Sequence, residues 1–193
     1  HEKIQDYGMK KFFFSDQEVI LKSIKYKNKS LSKNFKLNII AEEAKSKISN
    51  KLIIKNISIN SKSIKKNDVF FAVKGKKRDG NKYVSEAFKK KSSLVILNRF
   101  NKNYPLSKQI KVKNSLSFLT KCSSIFRENI NAKIISITGS CGKTTLKEMI
   151  GFTLKKISKT TYSPKSFNNK YGVPLSLFNL KEKDEFGVFE VGM

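Results

Sequence analysis

The most informative pattern of hydrophobic and polar positions runs from residue 134 to residue 157. It opens with a largely β-branched run, Ile134–Thr138, of the kind that forms a buried parallel strand. A polar loop with two glycines follows at Gly139–Thr145. Apolar side chains then recur at helical spacing and predict one apolar helix face, formed by Leu146, Met149, Ile150, Thr153, Leu154 and Ile157. The pattern therefore predicts a strand, a tight loop and a helix in that order.

This order is the geometry of a phosphate-binding loop. Gly139 and Gly142 allow backbone N–H groups to point inward, and the helix N-terminus adds the positive end of its dipole. Lys143 supplies a cation for the outer phosphates, and the Thr144 hydroxyl is placed to hold Mg²⁺. The common form of this loop has a glycine where this chain has Ile137, so the motif is the shorter Thr-Gly-x-x-Gly-Lys-Thr-Thr. We predict that it binds a nucleoside triphosphate through Gly139, Ser140, Cys141, Gly142, Lys143, Thr144 and Thr145.

Residues 34–132 have the pattern of a compact α/β unit, in which short apolar runs alternate with amphipathic stretches. Two polar loops interrupt it, Asn60–Ser63 and Gly75–Asn81, and their Ser, Asn and Asp-Gly content predicts turns. The pattern predicts helices at Leu37–Lys47, Tyr83–Phe88 and Leu116–Phe126, and strands at Leu52–Ile59, Asp68–Val73 and Leu94–Leu97.

Residues 133–193 have the pattern of a nucleotide-binding domain. A polar loop with Asn168 and Asn169 leads to a helix that starts near Pro174, and Phe186–Val191 predicts another buried strand. Glu190 is a carboxylate in this apolar strand. Beside a phosphate site we predict that it binds Mg²⁺ directly or through water; the alternative is a buried charge paired with a lysine. Because two strands are too few for a doubly wound sheet, we expect the domain to be cut short.

The charge of the chain raises the question of a nucleic-acid partner. The chain has 41 Lys and Arg against 15 Asp and Glu, which gives a formal net charge of +26. Such a charge suggests nucleic acid or an anionic membrane. However, only Arg78, Arg99 and Arg127 are arginines, whereas base and phosphate recognition favours the arginine fork. The lysines are also spread along the chain, so we interpret them as a solvated surface and predict no nucleic-acid partner.

The cysteines and the apolar runs exclude other classes. Cys122 and Cys141 are the only cysteines, and neither a disulfide framework nor a cysteine metal site is indicated. No apolar run approaches the ~20 residues of a membrane-spanning helix. We predict a reduced, cytoplasmic and monomeric protein without membrane insertion.

Three segments of the second half resemble the central domain of the Mur ligases: TGSCGKTTLKE, FNNKYGVPLSLFNL and FEVGM. The earlier segment ISINSKSIKKNDVFFAVKGKKRDGNKY is similar to the N-terminal domain of that family, which binds the UDP-sugar end of the substrate. The resemblance covers about residues 35–193. Ser140 and the pair Lys147–Glu148 favour the branch that adds D-alanyl-D-alanine.

The resemblance implies an α/β fold with a small substrate domain at 34–132 and the start of a P-loop-type, mainly parallel ATPase domain at 133–193. It implies an ATP-dependent ligase of peptidoglycan synthesis that phosphorylates the carboxylate of UDP-N-acetylmuramoyl-tripeptide and joins it to D-alanyl-D-alanine. Lys143 and Thr144 would be catalytic, and Thr144 and Glu190 would hold Mg²⁺. The other implied site residues are Asn168 and Asn169 toward ATP, and Ser61, Arg78, Asp79 and Gly80 toward the UDP-sugar. The family's usual Asp-Ser-Arg reads Asn60-Ser61-Lys62 here, and its usual His after Asp-Gly is Asn81.

Residues 1–33 resemble another part of the same family, followed by a lysine-rich linker. His1, Glu2, Gln5, Phe14, Asp16 and Glu18 align with the extreme C-terminus of the ligases that add the third amino acid. The glutamate that matches Glu2 helps to bind the amino-acid substrate in the diaminopimelate-adding members. The resemblance implies the junction of two fused ligases. It also implies that the rest of the central domain and a C-terminal domain are missing, so we expect this chain alone not to ligate.

Two rival interpretations stay open. Another ligase of the same superfamily, such as a folylpolyglutamate synthase, would share the phosphate loop but should lack the segment NSKSIKKNDVFFAVKG. A basic nucleic-acid-binding P-loop ATPase would explain the charge, and it predicts tight and salt-sensitive binding to DNA or RNA.

Overall fold

The computed structural model of the protein describes residues 35–45, 52–75, 78–165 and 167–192. The chain divides between Cys122 and Ser123 into two compact units, here called the first and the second unit. Glu2 and the rest of the segment 1–33 lie outside the described residues, so the predictions that fall on them stay predictions.

The first unit is built on one sheet of four parallel strands in the order β1-β2-β3-β4. Its strands are β1 (Ile57–Ser58), β2 (Val69–Phe71), β3 (Leu94–Leu97) and β4 (Gln109–Lys111), and its helices are α1 (Phe35–Glu43), α2 (Val84–Lys89) and α3 (Ser115–Glu128), of which α3 runs across the division.

The core of the first unit fixes the position of α2. Every side chain of β2 and β3 is buried, as is typical of parallel strands that are covered on both faces. Phe70 and Val95 belong to one buried apolar cluster with Val84 and Ala87 of α2. The helix therefore packs on the centre of the sheet.

The two polar loops form turns, as predicted. Ser61–Ser63 and Gly80–Tyr83 are short 3-10 turns, capped by the side chains of Asn60 and Asp79. Both turns pack against α2. Ser61 and Gly80, two of the predicted substrate-binding residues, therefore lie in turns that share one helix as their support.

The predicted strand Leu52–Ile59 is too long, because only Ile57 and Ser58 pair as β1. The preceding backbone bonds to a loop instead. Lys55 N donates to Asn67 O (2.8 Å), and Asn56 N donates to the Asp68 carboxylate (3.2 Å). The apolar alternation of this stretch did not reveal these loop partners.

The second unit has a sheet of three parallel strands in the order β5-β7-β6. Its strands are β5 (Lys133–Ile137), β6 (Thr160–Tyr162) and β7 (Phe186–Glu190), and the helices after β5 are α4 (Lys143–Ile157) and α5 (Gly172–Leu177). The prediction of a mixed α/β fold with parallel sheets is confirmed.

Strands β4 and β6 were not predicted from the sequence, and the expectation of two strands in the second unit was wrong. Both strands are three residues long and carry polar residues at buried positions. In β4, the buried Gln109 side chain donates to the carbonyls of Asn101 and Tyr104 (2.9 Å each). Such a position has no apolar signature in the sequence.

Helix α4 differs from the prediction in its start and in its buried face. It begins at Lys143, so the loop is shorter than Gly139–Thr145. Leu146, Met149 and Ile157, which were assigned to the apolar face, are 48%, 63% and 78% exposed. The buried residues of α4 are instead Lys147 and Gly151.

Tyr162 of β6 explains which face of α4 packs. A Cβ at Gly151 would lie 2.6 Å from Cγ of Tyr162, so the ring occupies the place that a side chain at 151 would need. In the structure, α4 therefore packs on β6 through the face that carries Gly151.

Among the described residues, no helix combines the length and the apolar character needed to cross a lipid bilayer.

Candidate nucleotide and substrate sites

The phosphate loop connects β5 to α4 through two glycines with positive φ. Gly139 has a φ of 148° and Gly142 a φ of 73°. L side chains rarely adopt this region of backbone conformation. A Cβ at Gly139 would meet no atom closer than 3.9 Å, and one at Gly142 would meet none within 4 Å. The backbone curvature, and not a lack of space, therefore requires glycine.

The N-terminus of α4 opens directly onto this loop. Gly142 is the N-cap residue and offers no side chain to cap the helix. The N–H groups of the first turn lack intrahelical acceptors, and the helix dipole adds positive potential at the same place. A 15-residue helix that begins after a glycine loop is suited to bind the phosphates of a nucleotide.

Lys143 lies over the loop. Its Nζ donates to the carbonyl of Gly139 and to that of Ser140 (3.1 Å). The ammonium is therefore held at the loop by its own backbone. A phosphate bound in the loop would attract the same ammonium with a full negative charge, which makes a stronger hydrogen bond than a carbonyl.

The carboxylate of Glu190 joins three elements at the end of β7. Glu190 is 1% exposed. Its Oε2 accepts from Thr144 Oγ1 on α4 (2.8 Å), and its Oε1 accepts from Asn168 Nδ2 (2.7 Å). The N–H of Glu190 donates to Ser163 Oγ, which follows β6 (3.3 Å). The structure thus brings together three of the predicted site residues, Thr144, Asn168 and Glu190.

Strand register places this group beside the phosphate loop. Ile137 of β5 pairs with Glu190 of β7, and Val191 N donates to Ile137 O (2.8 Å). The loop leaves β5 directly after this pair. In open parallel α/β sheets, ligands bind outside the carboxyl ends of the strands, which is where these residues lie.

The group has donor chemistry that fits Mg²⁺, which prefers oxygen ligands. The Thr144 hydroxyl gives its proton to Glu190, so its oxygen lone pairs stay available to a cation. Among the described residues, no cluster of three or more His, Cys, Asp or Glu is placed to hold a metal ion. A magnesium site here would therefore depend on nucleotide and water oxygens in addition to Thr144 and Glu190.

Asn169 occupies a different position from Asn168. Its Oδ1 accepts from the N–H groups of Tyr171 (3.0 Å) and Gly172 (2.9 Å) and shapes the entry to α5. A role of Asn169 in nucleotide binding stays a prediction. The remaining predicted residues of the loop are exposed: Ser140, Cys141 and Thr145.

Ser61, predicted to face the UDP-sugar, is a buried residue held by α2. Its hydroxyl donates to Glu86 Oε2 (2.6 Å), and this hydrogen bond is the main reason that the pKa of Glu86 is lowered. Lys90 Nζ lies 3.4 Å from the other Glu86 oxygen and donates to Lys62 O (2.6 Å). Glu86 and Lys90 therefore clamp the turn that carries Ser61.

The second predicted substrate segment is held by backbone packing. Gly80 N donates to Val73 O (2.9 Å), and a Cβ at Gly80 would lie 2.5 Å from Val73 N, so only glycine fits. The Asp79 carboxylate accepts from the side chain and the N–H of Asn81 (2.7 and 2.9 Å), and these bonds lower its pKa. Arg78 is exposed, and its carbonyl closes the turn by accepting from Gly75 N (2.8 Å).

Asn81, which departs from the family pattern, is built into the unit. Its amide donates to Asn98 Oδ1 (3.3 Å) and accepts from Asn98 N (3.1 Å) just after β3. The side chain of Asn98 in turn donates to the carbonyls of Val112 and Lys113 (3.0 and 2.7 Å). Asn81 therefore connects the turn to the ends of β3 and β4.

Sequence reasoning did not single out Glu86 and Ser163. Glu86 forms an ordinary i,i+4 pair with Lys90, but its contact to Ser61 spans 25 positions. Ser163 contacts Glu190 across 27 positions. No local pattern in the sequence signals either contact.

The comparisons with known proteins agree with this geometry. Residues 53–127 match the description "Mur ligase family, catalytic domain", and residues 137–193 match "Mur ligase middle domain". The UDP-N-acetylmuramoyl-tripeptide–D-alanyl-D-alanine ligase of Rickettsia prowazekii is 37% identical over 146 residues, which are 76% of this chain and 32% of that protein.

Solved structures give the same relationship. A crystal structure of MurF from Acinetobacter baumannii superimposes with a TM-score of 0.72 at 28% identity, over 81% of this chain and 35% of that one. MurF from Thermotoga maritima, solved in complex with ADP, gives a TM-score of 0.63 at 32% identity, over 75% of this chain and 33% of that one.

The chain thus spans about a third of the length of the relatives that it matches. The two family matches follow one another along the chain and together cover more than half of it. With the phosphate loop and the Glu190 group in place, the chain belongs to the Mur ligase family.

Proposed function

We propose that the chain is part of an ATP-dependent ligase that joins D-alanyl-D-alanine to UDP-N-acetylmuramoyl-tripeptide in peptidoglycan synthesis. The observation that carries the proposal is the buried Glu190 carboxylate bonded to Thr144 and Asn168 at the mouth of a phosphate loop. The named reaction is that of the Rickettsia prowazekii relative.

The second unit would bind ATP and prepare the transfer of its γ-phosphate. The loop N–H groups and the N-terminus of α4 would hold the phosphates, and Lys143 would neutralise charge that develops on the transferred group. The support for a nucleotide is the positive φ of Gly139 and Gly142 and the position of Lys143 above the loop.

Thr144 and Glu190 would hold Mg²⁺, with Asn168 orienting the Glu190 carboxylate from its other side. When bound there, Mg²⁺ would supply positive charge that stabilises the negative charge developing during phosphoryl transfer. The chain's own part is to fix the Thr144 oxygen and the carboxylate at the end of β7.

The first unit would bind the UDP-sugar end of the precursor through Ser61, Arg78, Asp79 and Gly80. The proposal is supported by the common support that α2 gives to the two turns. Because Ser61 donates its only hydroxyl proton to Glu86, its oxygen can only accept from the substrate. We therefore expect a hydroxyl or N–H of the precursor, and not a phosphate oxygen, at Ser61.

The reaction itself tests the proposal. The protein expressed from its complete reading frame is incubated with ATP, Mg²⁺, UDP-N-acetylmuramoyl-tripeptide and D-alanyl-D-alanine, and the products are identified by mass. We expect one pentapeptide product and one ADP for each ligation, and a loss of roughly a hundredfold or more for Lys143→Met, which removes the phosphate-binding cation.

Lys156→Met is a matched control, because Lys156 is exposed on the same helix. Hydrolysis of ATP without pentapeptide would refute the proposal, and so would formation of a glutamylated folate when folate and glutamate replace the precursor and the dipeptide. Unchanged ligation by Lys143→Met would refute the role of the loop.

The proposal includes a monomeric protein in the cytoplasm. The support for a reducing compartment is that Cys122 and Cys141, the only cysteines, are both free thiols. Sedimentation of the purified protein tests the monomer.

A further inference from the structure

Lys147 on α4 is a buried lysine without an assigned role. It is 0% exposed and is among the largest fully buried side chains of the described residues. Lysine is almost never fully buried unless its charge is paired, because removing an ammonium from water costs free energy. The position of Lys147 therefore calls for a specific reason.

The ammonium of Lys147 has two close partners. Its Nζ donates to the carbonyl of Lys165 (2.5 Å) and lies 2.8 Å from Glu148 Oε1. The Glu148 side chain is 47% exposed, so it neutralises the charge from the edge of the site. The carbonyl is the partner that lies on another element, 18 positions along the chain.

Lys165 belongs to the connection between β6 and Asn168. Its φ of 48° lies in the left-handed region, which is costly for a non-glycine residue. Before it, Ser163 N donates to Val188 O (2.9 Å); after it, Asn168 O accepts from Gly192 N (2.6 Å). The connection is thus bonded at one end to β7, at the other end to Gly192 just after β7, and in the middle to α4.

Helix α4 carries both Lys147 and Thr144, which are three positions apart and therefore neighbours along the helix. Thr144 contacts one oxygen of Glu190, and Asn168 contacts the other. The hydrogen bond from Lys147 to Lys165 links these two contacts, because it fixes the segment that carries Asn168 against the helix that carries Thr144.

We propose that Lys147 is a positioning residue that sets Asn168 and Thr144 on the two oxygens of Glu190, and so prepares the magnesium–nucleotide site. This inference rests on the proposed function. Any displacement of the connection would leave a buried ammonium without its carbonyl, so the pairing penalises misplaced loops more than an apolar contact would.

The test is the Mg²⁺ dependence of ADP binding to the protein expressed from its complete reading frame, measured by calorimetry with and without Mg²⁺. Lys147→Met keeps the apolar stem and removes the ammonium. We expect it to weaken the affinity gained from Mg²⁺ by roughly tenfold or more, as for other residues that orient metal ligands, and to change Mg²⁺-free ADP binding much less. Lys147→Arg should give an intermediate loss.

Hydrogen exchange provides a second readout that does not need nucleotide. In Lys147→Met we expect the amides of Ser163, Lys165 and residues 167–169 to exchange roughly tenfold faster, with β5 and β7 unchanged. Lys156→Met, on the exposed side of α4, should alter neither readout. A merely structural role would instead raise exchange throughout the second unit and leave the Mg²⁺ dependence of binding as in the wild type.

The outcomes separate the two proposals. Wild-type protein that does not bind ADP would overturn the proposed function and this inference with it. Wild-type binding with an unchanged Mg²⁺ dependence in Lys147→Met would overturn the inference alone. If Lys147→Met does not fold, the same titration is made with Lys147→Arg. An unchanged Mg²⁺ dependence of ADP binding in that variant would again overturn the inference about Lys147.

Discussion

At the scale of single residues, the two candidate sites depend on carboxylates that are fixed by hydroxyl donors. Thr144 donates to Glu190 in the second unit, and Ser61 donates to Glu86 in the first. In both cases a side chain predicted to contact a ligand has its proton committed to a glutamate, so its oxygen faces the ligand as an acceptor.

The bond between Ser61 and Glu86 predicts a pH dependence. The folded state lowers the pKa of Glu86, chiefly through the Ser61 hydroxyl, so ionised Glu86 favours folding. This contribution to the free energy of unfolding is present at pH values above the pKa that Glu86 has in the unfolded chain. It is lost as the pH falls through the lowered pKa that Glu86 has in the folded state. We expect thermal unfolding to show a smaller decrease in Tm on acidification in Glu86→Gln than in wild type.

Glu182→Gln is a suitable control for this experiment, because Glu182 is exposed in the second unit. It should keep the wild-type pH profile. Equal acid sensitivity of wild type and Glu86→Gln would contradict the assignment of the lowered pKa to the Ser61 bond.

Single residues also mark the limit of what the sequence predicts. The spacing of Gly139, Gly142, Lys143 and Thr144 was sufficient to predict the loop, because all four act within six positions. Lys147 stands in a lysine-rich helix of a lysine-rich chain, and its burial depends on Lys165, 18 positions away. Because lysines are so frequent in this helix and in the chain, the sequence does not indicate that Lys147 is the one lysine of α4 that is fully buried.

At the scale of elements, α4 packs in the structure through a different face from the one that its apolar spacing predicted. The spacing of Leu146, Met149 and Ile157 predicted a face that the structure leaves largely exposed. Gly151, which has no side chain to contribute to such a pattern, lies where the ring of Tyr162 approaches.

This contact predicts an unusual sign for a helix substitution. Gly→Ala inside a helix normally stabilises, by up to about 1 kcal/mol. At Gly151 the new Cβ would meet the Tyr162 ring at 2.6 Å, so we expect Gly151→Ala to lower the free energy of unfolding by about 1–3 kcal/mol, as overpacking does. Chemical denaturation of wild type and variant measures this difference in the free energy of unfolding.

Thr153→Ala, at an exposed position of the same helix, isolates helix propensity and should be neutral or slightly stabilising. Stabilisation by Gly151→Ala would mean that the ring moves away at little cost, and that the close contact does not restrict residue 151 to glycine.

The elements that the sequence predicted share a strong local signal. β3 is a continuous apolar run, and its observed bounds, Leu94–Leu97, are those predicted. β1, β4 and β6 are two or three residues long, and their positions are decided by partners elsewhere in the sheets. Strands of this length carry too few positions for a period of two to stand out.

At the scale of the whole molecule, the charge of +26 invites a competing interpretation that can be measured. A basic nucleic-acid-binding ATPase should bind labelled DNA or RNA tightly at moderate salt. We expect no binding tighter than roughly micromolar at about 0.15 M salt, because diffuse lysines give only the non-specific electrostatic term.

A salt titration with a labelled oligonucleotide, with a polyanion such as heparin as a control for bulk charge, makes this measurement. Submicromolar binding that persists at this salt concentration and prefers nucleic acid over heparin would favour the ATPase interpretation. If binding of the oligonucleotide and binding of heparin weaken together as the salt concentration rises, the result would agree with a solvated lysine surface.

The topology of the second sheet has a consequence for how the chain folds. Among the described residues, β7 is the last strand of this sheet in sequence and the central one in space, and β5 and β6 pair with no other strand. Glu190, the hydrogen-bond partner of Thr144, is synthesised 46 positions later in the chain. Synthesis on the ribosome therefore exposes two unpaired strand edges before β7 arrives, an interval in which aggregation competes with folding and chaperones would act.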